Sequence, residues 1–289
     1  MQTDQLVTDA RAWTGPPLAA SAAAWADPSG ETWYTPQRVP GDLAGQLVTT
    51  WQARLGGNLR LVPDGCVEVL WIGNGTAWVC GPESVAWSFC LPAALPVYGV
   101  RFRPGVAGSA LGFDTRELYN RRVAVADVLG GRAERELTER IAETADPSAG
   151  LGALHQAVRG WVSDARDPGP VAAALPRLLA EEPSITVAGV ADALGLSDRQ
   201  LHRHSVSAFG YGPATLRRIL RLQRFLRLSR RPGGSTDLAS LAVAAGYTDQ
   251  PHLSRDCRTI AGASPAELTG RRVRSVHDGT DGGRACWAA

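Results

Sequence analysis

Apolar positions follow two different periods along this chain. Between residues 47 and 102 they form short runs separated by turns that contain Gly, Pro and Asn, a pattern typical of strands. After Pro104 they recur at the i, i+3, i+4 spacing of helices. The pattern predicts β-structure in the first half and helices in the second.

The predicted strands are Leu47–Arg54, Leu59–Val62, Val67–Ile72, Ala77–Cys80, Ala86–Leu91 and Val97–Phe102. The predicted turns between them are Gly56-Gly57, Pro63-Asp64-Gly65, Gly73-Asn74-Gly75, Gly81-Pro82 and Pro92. Five or six short strands at about ten-residue spacing favour an antiparallel barrel or sandwich. The predicted helices that follow are Val106–Leu111, Thr115–Tyr119, Val125–Leu129, Arg132–Ala145 and one from Pro147 to about Val162.

A breaker-rich segment at residues 164–170 predicts the boundary between two domains. A chain of 289 residues is long enough for two cores. The expected fold class is α+β, with an N-terminal antiparallel β-barrel or sandwich followed by helices and an all-α C-terminal domain. The predicted parts are a loosely ordered lead-in (1–30), a β-rich domain (31–165), a helical domain (170–272) and a disordered tail (273–289) that holds His277 and Cys286.

Charge is distributed unevenly between these parts, although the net charge of the whole chain is only +2. Residues 184–275 contain 14 arginines and six acidic residues, a net charge of +8, and the remainder carries −6. A basic module joined to an acidic one favours a polyanionic partner for the basic part. DNA, RNA and an anionic membrane surface all fit this charge pattern.

Composition argues against several classes of protein. No apolar run approaches the roughly 20 residues that cross a bilayer, and we find no signal peptide, so a cytoplasmic protein without a membrane partner is expected. The five cysteines are odd in number and none forms a CxxC pair, which argues against a disulfide framework or a zinc ribbon. Cys66, Cys80 and Cys90 are expected to be buried apolar residues, with a thiol sensor or a metal site as the alternative.

The first domain contains few groups suited to catalysis. Histidine is absent before His155, which argues against metal-dependent chemistry there. No enzyme activity, metal or cofactor is therefore predicted, and a carboxylate site of Asp64, Glu68 and Glu83 is the alternative. The aromatic residues of this domain either fill its core or line a pocket for an apolar or flat effector. They are Trp51, Trp71, Trp78, Trp87 and Tyr98.

Two segments of the helical domain, 190–203 and 241–255, repeat one another. In each, an apolar-faced helix ends at a glycine (Gly195 or Gly246), and an apolar residue, a hydroxyl residue and a polar helix follow. Glycine at this place permits a left-handed backbone. Ser197 is a predicted N-cap that forms a capping box with Gln200, and Thr248 or Asp249 caps the second copy. The pattern is that of a helix-turn-helix motif, whose second helix enters the major groove of DNA.

A helix predicted from Pro213 to about Arg230 joins the two motifs. Its length of about 27 Å is close to the roughly 34 Å between successive major-groove faces. Two such motifs in a strongly basic module therefore favour DNA, read by two recognition helices on one face of a duplex.

Residues 170–272 resemble the AraC/XylS-type DNA-binding module. The matching pieces are 193–203, 209–213, 221–224, 245–250 and 261–268, of which Gly246-Tyr247-Thr248-Asp249-Gln250 and Gly262-Ala263-Ser264-Pro265 are the most specific. Residues 61–71 and 99–105 resemble a cupin-like domain found ahead of such modules. The resemblance implies a transcription regulator whose first domain binds a small effector, mediates dimerisation, or does both.

The resemblance also implies which side chains meet DNA. Arg pairs with guanine and Gln with adenine in the major groove. The implied base-reading residues are Arg199, His202 and Arg203 in one groove and Gln250, His252 and Arg255 in the next. Implied contacts to the DNA backbone come from Ser197, Arg217, Arg218, Arg221, Arg224, Thr248 and Arg258, although the arginines among them are also suited to structural ion pairs.

Three positions depart from the family pattern. Ser205 and Cys257 stand where the family usually has Phe, so lighter packing of both recognition helices is expected. Pro251 lacks a backbone N–H, which predicts a weaker second half-site.

The leading hypothesis is a sequence-specific transcription regulator. Its expected partners are double-stranded DNA, a small effector of unknown identity, a second copy of the chain and, as a further candidate, RNA polymerase. The alternatives are a ligand-free regulator whose first domain only dimerises, and a carboxylate- or thiol-based enzyme domain tethered to DNA.

Overall fold

A computed structural model describes residues 25–26, 30–144, 147–231 and 237–269. The predicted tail, with His277 and Cys286, and nearly all of the predicted lead-in lie outside the described residues. Within these ranges, no helix is long and apolar enough to cross a membrane.

The strands form one antiparallel sheet in the order β1-β2-β3-β6-β4-β5-β7. Their bounds are β1 Trp25–Ala26, β2 Trp33–Gln37, β3 Leu47–Leu61, β4 Glu68–Ile72, β5 Thr76–Cys80, β6 Trp87–Phe102 and β7 Arg122–Ala124. The fold class is thus confirmed: an antiparallel sheet domain precedes a helical domain.

Two of the predicted turns are wrong, because β3 and β6 are each one long strand. The register between them shifts at Leu55 and Gly57, so Gly56-Gly57 and Pro92 lie at an irregularity within the strands. A Cβ on Gly56 would lie 3.0 Å from the Cα of Ala94, so glycine permits the close approach of the two backbones there.

Alternate side chains of the sheet face two different cores. Trp71, Tyr98 and Val100 pack with the helices of the first domain on one face. Residues such as Trp51 and Leu70 form the second core on the other face. Side chains from β2, β3, β4 and β6 surround one cavity on this second face, so the sheet curves around it.

Four helices complete the first domain: α1 Ala107–Leu111, α2 Val125–Leu129, α3 Gly131–Ala142 and α4 Pro147–Trp161. Helix α4 approaches the sheet closely at Gly150, where a Cβ would lie 2.3 Å from the ring of Tyr98. The helix predicted at Thr115–Tyr119 is wrong, because this segment forms consecutive turns. Its geometry depends on distant partners: Asn120 has a φ of 54°, and its carboxamide oxygen accepts a hydrogen bond from the backbone N–H of Ser84 at 2.8 Å.

Residues 162–169 contain no helix or strand, and the second domain follows them. Its helices are α5 Pro170–Glu181, α6 Val187–Ala193, α7 Asp198–Phe209, α8 Pro213–Ser229, α9 Leu238–Ala244, α10 Gln250–Asp256 and α11 Pro265–Leu268. A short π-helix, Cys257–Ala261, extends α10. Fully buried Leu201, Leu216, Ile219 and Leu253 belong to the core of this domain.

Candidate nucleic-acid interface

Helices α6 and α7 form the first helix-turn-helix motif. Gly195 in the turn has a φ of +64°, a conformation that costs glycine little. The predicted capping box is present: Ser197 Oγ accepts from the backbone N–H of Gln200 at 3.3 Å, and Gln200 Oε1 accepts from that of Ser197 at 2.9 Å. Local sequence therefore fixes where the recognition helix α7 begins.

Helix α7 separates a buried face from an exposed one. Leu201, Ser205 and Phe209 are buried against the domain. Arg199, His202 and Arg203 are exposed on the opposite side. Among the described residues, neither Arg199 nor Arg203 has an internal hydrogen bond or ion pair at its side chain, so both guanidinium groups are available to an external partner.

Helices α9 and α10 form the second motif. Gly246 has a φ of +92°, and a Cβ there would lie 2.6 Å from Pro183. Asp249 is the N-cap of α10, because its carboxylate accepts from the backbone N–H of His252 at 2.7 Å. Pro251 falls in the first turn, where its missing N–H costs little.

The three side chains of α10 that are predicted to read bases differ in how strongly the rest of the protein restrains them. Gln250 and Arg255 are exposed. His252 is half-buried, with its ring centroid 5.2 Å from that of Tyr247. Its ring nitrogens lie 3.5 Å from Arg221 Nη2 and from Thr248 Oγ1. These contacts restrain His252 within the protein, in contrast to Gln250 and Arg255.

The arginines of α8 contact their own domain. Arg217 donates to the carbonyl of Ser184 at 3.2 Å. Arg224 donates to the carbonyls of Ala244 at 2.9 Å and Ala180 at 3.3 Å. Both side chains remain partly exposed, so their contact with DNA phosphates stays a prediction, as does that of the exposed Ser197, Thr248 and Arg258.

The expectation that Arg221 contacts a DNA phosphate is corrected by its position in the structure. It is only 6% exposed, donates to the carbonyl of Gly246 at 3.2 Å, and has its guanidinium carbon 4.8 Å from the ring centroid of Tyr247. A buried guanidinium cannot reach a phosphate, so Arg221 braces the turn of the second motif.

Asp256, which sequence reasoning did not single out, joins α10 to α8. Its carboxylate accepts from Arg218 Nε at 3.0 Å and lies 3.7 Å from Arg221 Nη2. Asp256 is 4% exposed, so this is a largely buried charge cluster. The feature of the sequence that could have identified this role is an acidic residue at an interior-facing helical position of a basic module.

The two residues that replace Phe are both fully buried. Ser205 Oγ donates to the carbonyl of Tyr211 at 2.8 Å, so a hydrogen bond ties α7 to the segment before α8. Burial raises the pKa of the Cys257 thiol to about 12, as expected of a packing residue. Whether these positions loosen the recognition helices stays a prediction.

The β-rich domain contacts all three parts of the reading module. Thr115 Oγ1 donates to the carbonyl of Ser207 in α7 at 2.7 Å. Gln223 Nε2 of α8 donates to the carbonyl of Pro63 at 2.7 Å. The backbone N–H of Ala86 donates to the carbonyl of Ile260, after α10, at 2.6 Å. The first domain thus holds both motifs and the helix between them.

The aromatic residues predicted to share one pocket lie on different faces of the sheet. Trp51 lines the apolar cavity, and Trp87 lines a second, polar cavity beside the helical domain. Trp71 and Tyr98 stack on each other at 5.7 Å in the opposite core, which corrects their assignment to the pocket. Trp78 donates to Thr76 Oγ1 at 3.0 Å and lines neither cavity.

The three predicted carboxylates all line the polar cavity. Arg101 lies 3.1 Å from Asp64 and 2.9 Å from Glu68, while Arg122 binds Glu83 at 2.6 Å. Burial raises the pKa of Glu68, and it raises that of Glu83 to about 7 although Arg122 opposes the shift.

Cys66 and Cys80 line the same cavity. Burial raises the pKa of both thiols well above the usual value, which argues against a reactive thiolate there. In the part of the chain that the structure describes, no group of three or more His, Cys, Asp or Glu residues is arranged to hold a metal ion.

Two protein families match this chain, one in each domain. Residues 190–271 match a family described as a helix-turn-helix domain. Residues 44–124 match one described as a domain of unknown function (DUF6597). No curated protein matches the chain.

Three solved structures are similar to this chain. The C-terminal domain of AraT, a response regulator from Geobacillus stearothermophilus, is 22% identical, with 39% of this chain and 93% of that chain covered and a TM-score of 0.33. ToxT from Vibrio cholerae with a bound unsaturated fatty acid is 11% identical, with 84% and 100% covered and a TM-score of 0.46. ToxT bound to (E)-4-(8-methylnaphthalen-1-yl)but-3-enoic acid is 10% identical, with 82% and 98% covered and a TM-score of 0.45.

The two capped recognition helices and the family match define the class of this protein. Residues 190–271 form a helix-turn-helix domain, preceded by the antiparallel sheet domain.

Proposed function

We propose that this chain regulates transcription by reading two successive major grooves of double-stranded DNA through α7 and α10. The observation that carries the proposal is the contrast among its arginines. Arg217, Arg218, Arg221 and Arg224 of α8 contact carbonyl or carboxylate groups of their own domain, whereas Arg199, Arg203 and Arg255 are exposed on the recognition helices. Exposed guanidinium groups on a recognition helix suit bidentate pairing with guanine.

Helix α8 supports simultaneous reading of two grooves. Its 17 residues correspond to a rigid spacer of about 26 Å. The contact of Asp256 with Arg218 and Arg221 fixes α10 against this spacer. A fixed spacer favours half-sites about one helical turn apart, roughly 10–10.5 base pairs.

The test is selection of binding sites from a random duplex pool with the full-length protein, followed by a salt titration of the selected duplex. We expect two half-sites and a steep loss of affinity with salt. Arg203→Ala is expected to relax one half-site and Arg255→Ala the other, each by about 1–3 kcal/mol.

Arg227→Ala is the matched control, because Arg227 is an exposed arginine of α8 outside both recognition helices. It removes the same charge and is expected to weaken all sequences equally. Relaxation of the same base pairs in all three variants, or selection of no sequence at all, would refute the proposal.

Control by a small effector at the β-rich domain is part of the same proposal. It is supported by the cavities of that domain and by its hydrogen bonds to α7, α8 and the π-helix. A cytoplasmic location, dimerisation through the first domain and contact with RNA polymerase complete the proposal. The mass of the protein in sedimentation equilibrium, with and without DNA, tests the dimer.

A further inference from the structure

The two recognition helices can be compared position by position from their N-caps. Helix α7 is capped by Ser197, and α10 is capped by Asp249. Counted from these caps, three pairs of residues occupy equal positions and share the same exposure: buried Leu201 and Leu253, exposed Arg203 and Arg255, and buried Ser205 and Cys257. The two helices therefore present corresponding positions to the core of the domain and to the outside.

This comparison places His252 at the position of a capping residue. His252 and Gln200 each stand three residues after the N-cap of their helix. The side chain of Gln200 turns back to its own cap, where its Oε1 accepts from the backbone N–H and from Oγ of Ser197, both at 2.9 Å. In the first recognition helix, the third position thus holds the start of the helix in place.

The ring of His252 also contacts residues of its own motif. Its Nδ1 lies 3.5 Å from Thr248 Oγ1, and its Nε2 lies 3.5 Å from Arg221 Nη2. The ring meets that of Tyr247 edge to face, with the centroids 5.2 Å apart. Because a guanidinium only donates, Nε2 must accept from Arg221, which leaves the proton on Nδ1 to be donated to Thr248. Both ring nitrogens therefore have partners within the protein.

Arg221 of α8 faces the same side of α10 as the His252 ring. His252 and Asp256 are four residues apart, so they lie on one face of α10. Arg221 Nη2 is 3.5 Å from His252 Nε2 and 3.7 Å from the Asp256 carboxylate. Its Nη1 donates to the carbonyl of Gly246 in the turn. One guanidinium thus contacts the turn of the second motif and both ends of its recognition helix.

We infer that His252 is a positioning residue and not a base reader. It holds the first turn of α10 against Arg221, and the second groove is read by Gln250 and Arg255. Both of these side chains are exposed, and neither has an internal hydrogen bond or ion pair among the described residues. A helix that is fixed before binding loses less freedom on binding, so His252 raises affinity without selecting a base. This inference rests on the proposed function, since it concerns how α10 reads DNA.

The first test compares the affinity and the base preference of full-length variants, measured with the random duplex pool and with the duplex that the wild type selects. His252→Ala should weaken binding of this duplex about fivefold and should select the same bases as the wild type. Arg255→Ala shows how loss of a reader on the same helix appears, because it is expected to relax one base pair. Relaxation of a base pair in His252→Ala, or unchanged affinity, would overturn the inference.

His252→Gln separates positioning from reading. Its Oε1 can accept from Arg221, and Gln is the residue that this chain has at the same position of α7. A positioning role predicts wild-type affinity and an unchanged base preference. A reading role predicts a new preference for adenine at one base pair, since Gln pairs with adenine. Such a preference, or an affinity as low as that of His252→Ala, would overturn the inference.

The position of the ring proton provides a test that does not depend on DNA. Imidazole ¹⁵N signals of the full-length protein are recorded at about pH 8, above the usual titration range of histidine. The signal that is lost in His252→Gln identifies this residue. We expect a proton on Nδ1 and none on Nε2. A proton on Nε2 would overturn the inference, because two donors would then face each other at Arg221.

Failure of the proposed function gives a different result from failure of this inference. If the chain does not read DNA, the wild type selects no duplex and Arg255→Ala relaxes no base pair. If only the inference fails, the wild type still selects two half-sites, and the His252 variants change the preferred base or leave the affinity unchanged.

Discussion

The charge cluster around Asp256 provides a test of how the second recognition helix is held. Asp256→Ala removes the carboxylate that lies 2.9 Å from Arg218 and 3.7 Å from Arg221. Arg218 is 41% exposed, so water can replace Asp256 as the partner of its guanidinium. Arg221 is 6% exposed and would remain buried beside the carbonyl of Gly246, the ring of Tyr247 and His252 Nε2, which lies 3.5 Å from its Nη2.

Removal of one partner from a buried ion pair costs about 3–5 kcal/mol. The remaining contacts of Arg221 place the expected loss in the free energy of unfolding at the lower end, about 3 kcal/mol. Urea unfolding of the full-length protein measures it. Arg227→Ala is the control, and it should change the free energy of unfolding by less than about 1 kcal/mol, because Arg227 is exposed and lies outside the cluster.

The same variant separates stability from DNA reading. Because Asp256 ties α10 to α8, Asp256→Ala should bind a duplex with both half-sites no better than one with the first half-site alone. Its affinity for the first half-site alone should match that of the wild type. A loss of less than about 1 kcal/mol in the free energy of unfolding, or an equal loss of affinity for both duplexes, would refute this role of Asp256.

Three further changes test the fold and its pH dependence. Ser197→Ala removes the capping box of α7 and should cost about 1 kcal/mol of unfolding free energy in urea; an unchanged midpoint would contradict this role. Gly99→Ala places a Cβ 2.1 Å from the Trp51 ring, and it should cost about 3 kcal/mol and shift tryptophan fluorescence to the red; native fluorescence and stability would show that the sheet can adjust. The raised pKa of Glu83, about 7 against 4.5, favours the protonated form in the folded state, so its stabilising effect is complete below about pH 4.5 and is lost as the pH rises through 7. The wild type should therefore lose up to about 3 kcal/mol more than Glu83→Gln between about pH 5 and pH 8; parallel pH profiles would contradict it.

The sequence predicted those features of the fold that depend on neighbouring residues. The turn glycines Gly195 and Gly246 and the capping box at Ser197 lie where the pattern places them, because caps and left-handed turns are local structures. The continuity of β3 and β6 was missed, because Gly56 is needed for a close approach to Ala94, a residue far along the chain.

The turns at 115–120 and the role of Arg221 were missed for the same physical reason. Thr115 and Asn120 bond to Ser207 and Ser84, and these pairs form only in the folded protein. In the sequence, Arg221 cannot be distinguished from the other arginines of α8. The packing of the folded protein shows that its guanidinium lies beneath Tyr247. The residue type shows that Arg221 carries a charge, whereas its burial determines that this charge contacts Tyr247 and not an external partner.

From the contacts between the domains we expect the first domain to act on the geometry of the helical domain. The side chains that we propose to read bases, Arg199, Arg203 and Arg255, are exposed although both domains are present, so the first domain does not cover them. Its hydrogen bonds reach Ser207 near the end of α7 and Ile260 beyond the end of α10, at the opposite ends of both helices from their N-caps. A movement of the first domain at these contacts is expected to change the angle and the spacing of α7 and α10, while the exposed faces of both helices remain free. Regulation through this contact would therefore alter which half-site spacing the protein tolerates, rather than whether each motif can enter its groove.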